Sequence, residues 1–212
     1  MDNTSLMTSL LSELHRERNG AAADAMRFYG KPYGLNLGVA LHTIRQTIAD
    51  KPKNHNFAEY LYRQDVRELR IAALWLAEPE RVEPESFDFW ESGIINSEVA
   101  EQAAMALLCK IECADQLIAK WSLSESVLTA YALLLTISRS ERCDAEIAAS
   151  AIGHIADRYA DNRLIARSAV TAIVALHGRN KAIAARLVEE TGQKDTETAR
   201  YICDELSWRL DY

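Results

Sequence analysis

The sequence predicts an all-α fold, a right-handed α-solenoid of repeated helix pairs, on three observations. Four stretches resemble one another: Arg67 to Leu74, Glu98 to Met105, Ser126 to Leu133 and Leu164 to Val170. With Ala73, Ala104, Ala132 and Ala169 taken as equivalent, the steps between them are 31, 28 and 37 residues. That interval accommodates two helices and their turns, a unit that stacks into helical superstructures. Helix-breaking residues are scarce: Gly (8) and Pro (4) together reach about half their usual share. Hydrophobic residues fill 49% of 212 positions, which suits a chain burying roughly 70% of its unfolded surface.

Apolar periodicity starts at Leu6, Leu10, Leu11 and Leu14 and breaks at Asn19-Gly20. A second helix is expected from Ala21 to Phe28. It ends in Tyr29-Gly30-Lys31-Pro32-Tyr33-Gly34, the most loop-like passage of the chain. A third resumes near Leu37, with Val39, Leu41, Ile44 and Ile48 on one side, and stops around Asp50-Lys51-Pro52. From Asn54 the chain alternates in pairs: 54–63 with 66–77, 85–93 with 97–110, 113–120 with 124–138, 143–159 with 162–177, and 181–191 with 196–210. Pro79 and Pro84 bracket the turn between the first two pairs. Ser97, Ser124 and Asp161 or Asn162 are placed to cap helix starts by accepting a bond from an orphan amide. The second helices are Ala-rich, so neighbours approach closely. No Ser- or Gly-rich linker divides the chain. Residues 1–212 therefore read as one domain, with N-terminal helices (1–50) capping the repeats (54–212).

Lys and Arg number 24 against 31 Asp and Glu, a net charge of −7. That disfavours nucleic acid as a partner unless basic residues gather on one face, because phosphate contacts need local positive charge. Cys109, Cys113, Cys143 and Cys203 include one i, i+4 pair, with no second Cys or His pair to complete a metal site. They read as free thiols of a reducing compartment. No basic start with an apolar core opens the chain, and no apolar run approaches about 18 residues. The expectation is a cytoplasmic protein with no cofactor, no metal and no membrane partner. Gly-x-x-x-x-Gly-Lys-Ser/Thr and Gly-x-Gly-x-x-Gly are both missing, which excludes the common nucleotide folds.

The glycine-containing turn after the second helix, the run Asp65-Val66-Arg67-Glu68-Leu69-Arg70 and the Ala-rich second helices together resemble the AlkD-like DNA alkylation-repair family. The resemblance runs from about Met26 to the C-terminus. It implies HEAT-like repeats, a duplex lying along a basic concave face lined by the second helices, and excision of alkylated, cationic purines. In that chemistry indole faces accept the cationic base, and a carboxylate supports charge developing on the sugar. This sequence departs from the family's three signature runs. Val99 and Ala103 stand where a Trp and the catalytic Asp belong, and shifting onto Phe89-Trp90 leaves Ile94 in the carboxylate's place. Val127-Leu128-Thr129-Ala130 lacks the arginine of the second run. Thr171 replaces the late Trp.

On the helix where the family keeps its acid, Glu98 and Glu101 are the candidate catalytic carboxylates. First-turn glutamates also simply complement a helix dipole. The candidate DNA-binding residues are Lys31, Arg67, Arg70, Lys110, Arg163 and Arg167. Lys31 sits in a turn whose amides could hold a phosphate, although Tyr29 and Tyr33 there could equally pin the N-terminal helices. Arg67, Arg70, Arg163 and Arg167 fall in basic groups (Arg63, Arg67, Arg70; Arg158, Arg163, Arg167; alongside a third, Arg179, Lys181, Arg186) that could follow a phosphate backbone or form solvated, ion-paired faces. Of the four tryptophans, Trp90 and Trp121 are expected to be partly exposed. Two functions remain open. One is a DNA-binding relative of the repair glycosylases acting on double-stranded DNA, and the other is a non-catalytic protein-interaction solenoid.

Overall fold

A computed structural model of the chain describes residues 2–30 and 33–210. Three helices come first: α1 (Asn3–Arg16), α2 (Gly20–Phe28) and α3 (Leu41–Ile48). Five pairs follow: α4 (His55–Tyr62) with α5 (Arg67–Leu76), α6 (Phe87–Ser92) with α7 (Ser97–Ala106), α8 (Ala114–Trp121) with α9 (Val127–Ile137), α10 (Ala145–Arg158) with α11 (Arg163–Arg179), and α12 (Lys181–Gly192) with α13 (Glu197–Leu206). Single 3-10 turns at Pro79–Arg81 and Pro84–Ser86 join the first two pairs. Each opens on a proline whose missing N–H costs nothing there.

Side-chain caps start most of these helices. Asn54, Asn96, Ser126, Asn162, Asn180 and Thr196 each accept a bond from an amide two or three residues into the helix. Two expected caps move by one or two positions: Asn96 replaces Ser97, and Ser126 replaces Ser124.

The second helices pack in succession, α5 on α7, α7 on α9, α9 on α11 and α11 on α13, forming one layer. The first helices α8, α10 and α12 stack likewise in the other. Small side chains permit the close approach: Ala72, Ala73, Ala100, Ala103, Ala104, Ala130, Ala132, Ala169 and Ala172 are all buried. This is an α-solenoid of HEAT-like pairs.

Three expectations are corrected by packing. Trp90 and Trp121 are fully buried rather than partly exposed. Trp90 closes an aromatic cluster between the first two pairs, with its ring 4.9 Å from Tyr62 and its carbonyl accepting from the Tyr62 hydroxyl at 2.9 Å. The helix expected over 97–110 ends at Ala106 and continues, after Leu107, as a 3-10 turn at Leu108–Lys110. The third helix starts at Leu41, not near Leu37. Residues 35–39 are drawn out along the start of α5 instead. Leu35 donates to the Asp65 carbonyl and accepts from the Arg67 amide, both at 2.9 Å.

Candidate nucleic-acid interface

That extended segment builds the most polar part of the interior. The Leu37 and Val39 amides donate to the two oxygens of Glu68, at 3.1 and 3.2 Å, and Glu68 is completely buried. Arg67, also buried, donates from Nη1 to Glu68 (2.8 Å) and to the Val39 carbonyl (2.7 Å). Its other edge meets Glu98 on α7 in a fork: Nε to Oε2 at 2.9 Å and Nη2 to Oε1 at 2.7 Å. The Tyr33 hydroxyl adds a third donor to Glu98, at 2.5 Å. Arg67 thus ties together the extended segment, α5 and α7.

The electrostatics follow from that geometry. Burial works against the Arg67 guanidinium, but the carboxylates of Glu98 and Glu68 outweigh it and raise its pKa further. The Tyr33 phenol is pushed well above its usual value, first by burial and then by the Glu98 carboxylate it faces. One edge of this cluster reaches a cleft of about 660 Å³ lined by Glu17, Met26, His42, Arg45, Arg67 and Glu98 among others.

The candidate carboxylates do not converge. Glu98 is held by α5 through Arg67. Glu101, three residues on, is exposed and accepts from the Tyr131 hydroxyl of α9 at 2.9 Å. Tyr131 is likewise raised in pKa, by burial and then by Glu101.

The candidate DNA contacts divide in the same way. Arg67 faces inward, with its donors committed to carboxylates and a carbonyl instead of to solvent. Arg70 is buried as well, donating to the Gln64 carbonyl at 3.3 Å and lying 3.8 Å from the Asp65 carboxylate. Lys110, Arg163 and Arg167 are exposed. Arg163 lies 5.7 Å from the Tyr201 ring, and Arg167, one turn further along α11, makes no ion pair among the described residues. Lys31 lies outside the described residues.

A second set of cations includes Lys110 and Arg179, already marked by the sequence, together with Lys53 and Arg139, which it does not mark. At the carbonyl ends of successive second helices, basic side chains reach the last turns. Lys53 donates to the Trp75 and Ala77 carbonyls of α5, and Lys110 to Ala106 of α7 at 2.9 Å. Arg139 donates to Leu135 of α9 at 3.1 Å, and Arg179 to Ile137 at 3.0 Å. The negative pole of a helix dipole attracts cations to such places. Lys110 and Arg139, standing just past the ends of α7 and α9, were the available signal; Lys53 and Arg179 reach their carbonyls from other elements.

Beside this row, Trp75 on α5 is flanked by Arg45 of α3, 4.7 Å from the ring centroid, and by Lys110, at 5.6 Å. The Gln102 amide oxygen accepts from both Trp75 Nε1 and Arg45, each at 3.3 Å.

Comparison with known proteins agrees with this architecture. No curated protein matches the sequence. A solved structure described as "a new family of proteins related to the HEAT-like repeat DNA glycosylases with affinity for branched DNA structures" superposes with a TM-score of 0.71 over 98% of this chain and 94% of that one. Identity is 16%, so the likeness is one of fold. The family model described as DNA alkylation repair enzyme matches residues 10–201, nearly the whole run of helices laid out above. The chain belongs to the DNA alkylation repair enzyme family.

Proposed function

We propose that this protein binds DNA along its layer of second helices and does not excise bases by the family's route. One observation carries the binding reading. In a chain of net charge −7, exposed cations without a carboxylate partner recur on second helices or just past their ends, at Lys110, Arg163 and Arg167. Phosphate contacts of that kind position a nucleic acid without reading its sequence. The affinity for branched DNA ascribed to the related structure is extended here to this chain.

The excision reading loses its carriers. Val99 and Ala103, at the family's Trp and Asp positions, are buried core residues of 0% and 2% exposure. Glu98 has three donors on it and serves as an anchor for Arg67. Glu101 is tethered to Tyr131 away from the cleft.

The test is binding to fluorescent duplex and branched DNA at several salt concentrations. Each phosphate contact contributes roughly 0.9 to the slope of log K against log salt. Arg163→Ala with Arg167→Ala is expected to lower that slope by about 2 and to weaken binding by about tenfold or more at low salt. An unchanged slope would remove these arginines from the interface. A second reading, docking of a protein partner, rests on a groove between α8 and α10 where Leu123 is 63% exposed beside Ile147. It gains ground only if wild-type protein fails to bind DNA at low salt.

A further inference from the structure

The pocket beside Trp75 has an unusual lining. About 320 Å³ in volume, it is walled by Arg45, Lys51, Lys53 and Trp75, with aliphatic side chains and no carboxylate. Lys51 is neutralised by Glu13 at 3.0 Å. Arg45, Lys53 and Lys110 make no ion pair among the described residues. Three cations gathered at one tryptophan are unexpected in an acidic protein, and Lys53 and Lys110 repel one another, although Glu80 and Glu78 act in the opposite sense on Lys53. Burial first, and then the Lys110 charge, pulls the Lys53 pKa down. Arg45 also keeps Nε buried without a hydrogen-bond partner. An anion would relieve the repulsion, and an aromatic ring lying among cations suits a flat, electron-rich partner.

The neighbourhood extends past the pocket. Arg45 lines both this pocket and the 660 Å³ cleft that reaches Glu98. The site therefore adjoins that cleft across Arg45. It is built from three elements, and Gln102 fixes both the indole and the guanidinium in place.

Resting on the DNA-binding reading, we infer that Trp75, Arg45, Lys53 and Lys110 form a subsite for one unpaired nucleotide at a branch or strand end. The base stacks against the indole or against the Arg45 guanidinium that already lies on it. The adjoining phosphodiester lies between Lys53 and Lys110. A base inside continuous duplex offers no free face for stacking, so the subsite selects broken or branched DNA over linear duplex. Stacking on aromatic side chains is tolerant of base identity, which predicts structure selectivity without sequence selectivity.

The test uses the full chain with three fluorescent DNAs: linear duplex, a duplex with a single-stranded flap, and a four-way junction. Trp75→Leu is expected to weaken flap and junction binding about tenfold while changing duplex binding by less than about twofold. Trp75→Phe should restore most of the preference. Lys53→Gln should weaken the flap complex and reduce its salt slope by roughly one. Far-UV circular dichroism and thermal melting establish that each variant folds. As a second readout, Trp208→Phe protein, with Trp90 and Trp121 buried, should show fluorescence quenching on addition of flap DNA. Equal losses on all three DNAs, or an undiminished preference in Trp75→Leu, would overturn the subsite while leaving DNA binding intact. Absence of binding by the wild type to any of the three would sink both readings.

Discussion

Replacing Arg67 by Met is expected to cost about 3–5 kcal/mol of folding stability, the range for removing one partner of a buried ion pair. The reason is what the substitution leaves behind. Glu68 is wholly buried and Glu98 nearly so, and Arg67 supplies three of the hydrogen bonds these carboxylates accept. The Leu37 and Val39 amides still hold Glu68, but no counter-charge remains. For a chain of this size 1 kcal/mol corresponds to roughly 2–4 °C, so the melting temperature should fall by about 10 °C. Lysine should rescue poorly, because a point charge cannot reproduce the fork onto Glu98. Combining Arg67→Met with Glu98→Gln should recover part of the loss by removing one stranded charge. Urea unfolding of the variants checks all of this. A loss under about 1 kcal/mol would mean that Arg67 does not tie the segment, α5 and α7 together.

The second large effect is expected at Gly38. Its φ is +70°, a left-handed conformation that side chains other than glycine's adopt at a cost. Space is also missing: a Cβ there would stand 2.0 Å from the Asn19 carbonyl oxygen and 2.8 Å from the Ala23 amide nitrogen. Those two atoms form the first hydrogen bond of α2. Gly38→Ala therefore has to push α2 off the extended segment, and α2 residues help line the 660 Å³ cleft. Strain and overpacking together suggest a loss of roughly 2–4 kcal/mol. Chemical denaturation measures it. Near-wild-type stability would show that α2 moves freely over residues 35–39.

The pairs were legible in the sequence because their signals are local. Alanines recurring at steps near thirty residues, prolines between pairs and Asn or Ser at helix starts all act within a few residues of where they stand. Caps shifted by one or two positions because Asn96 and Ser97, or Ser124 and Ser126, are chemically interchangeable at that job. The extended segment is hidden in the sequence for a different reason. Leu37, Val39, Leu41, Ile44 and Ile48 fit a helical stripe, and only Gly38 within that run hinted at another conformation.

The site was less legible still. Arg67 and Glu98 are 31 residues apart, and Tyr33 comes from a turn read as a loop. Their convergence is a product of tertiary packing. In the sequence Arg67 is indistinguishable from a phosphate contact, because a run of arginines looks the same whether it faces water or carboxylates. The surroundings of Trp75 are not legible in its own segment, because the cations around it come from α3 and from the turns before α4 and after α7. Val99 and Ala103 on α7 are alike in being buried in the core, which apolar residue types alone already indicate.

The most direct measurement follows wild-type protein against two substrates. One is a duplex carrying alkylated purines, assayed for released base. The other is a fluorescent four-way junction titrated at about 50 and 200 mM salt. Saturable, salt-sensitive junction binding is expected, with no base release above the spontaneous rate. Base release that disappears in Glu98→Gln protein would contradict that expectation, giving catalysis to the carboxylate assigned here as an anchor. Failure to bind the junction even at the lower salt would contradict it from the other side.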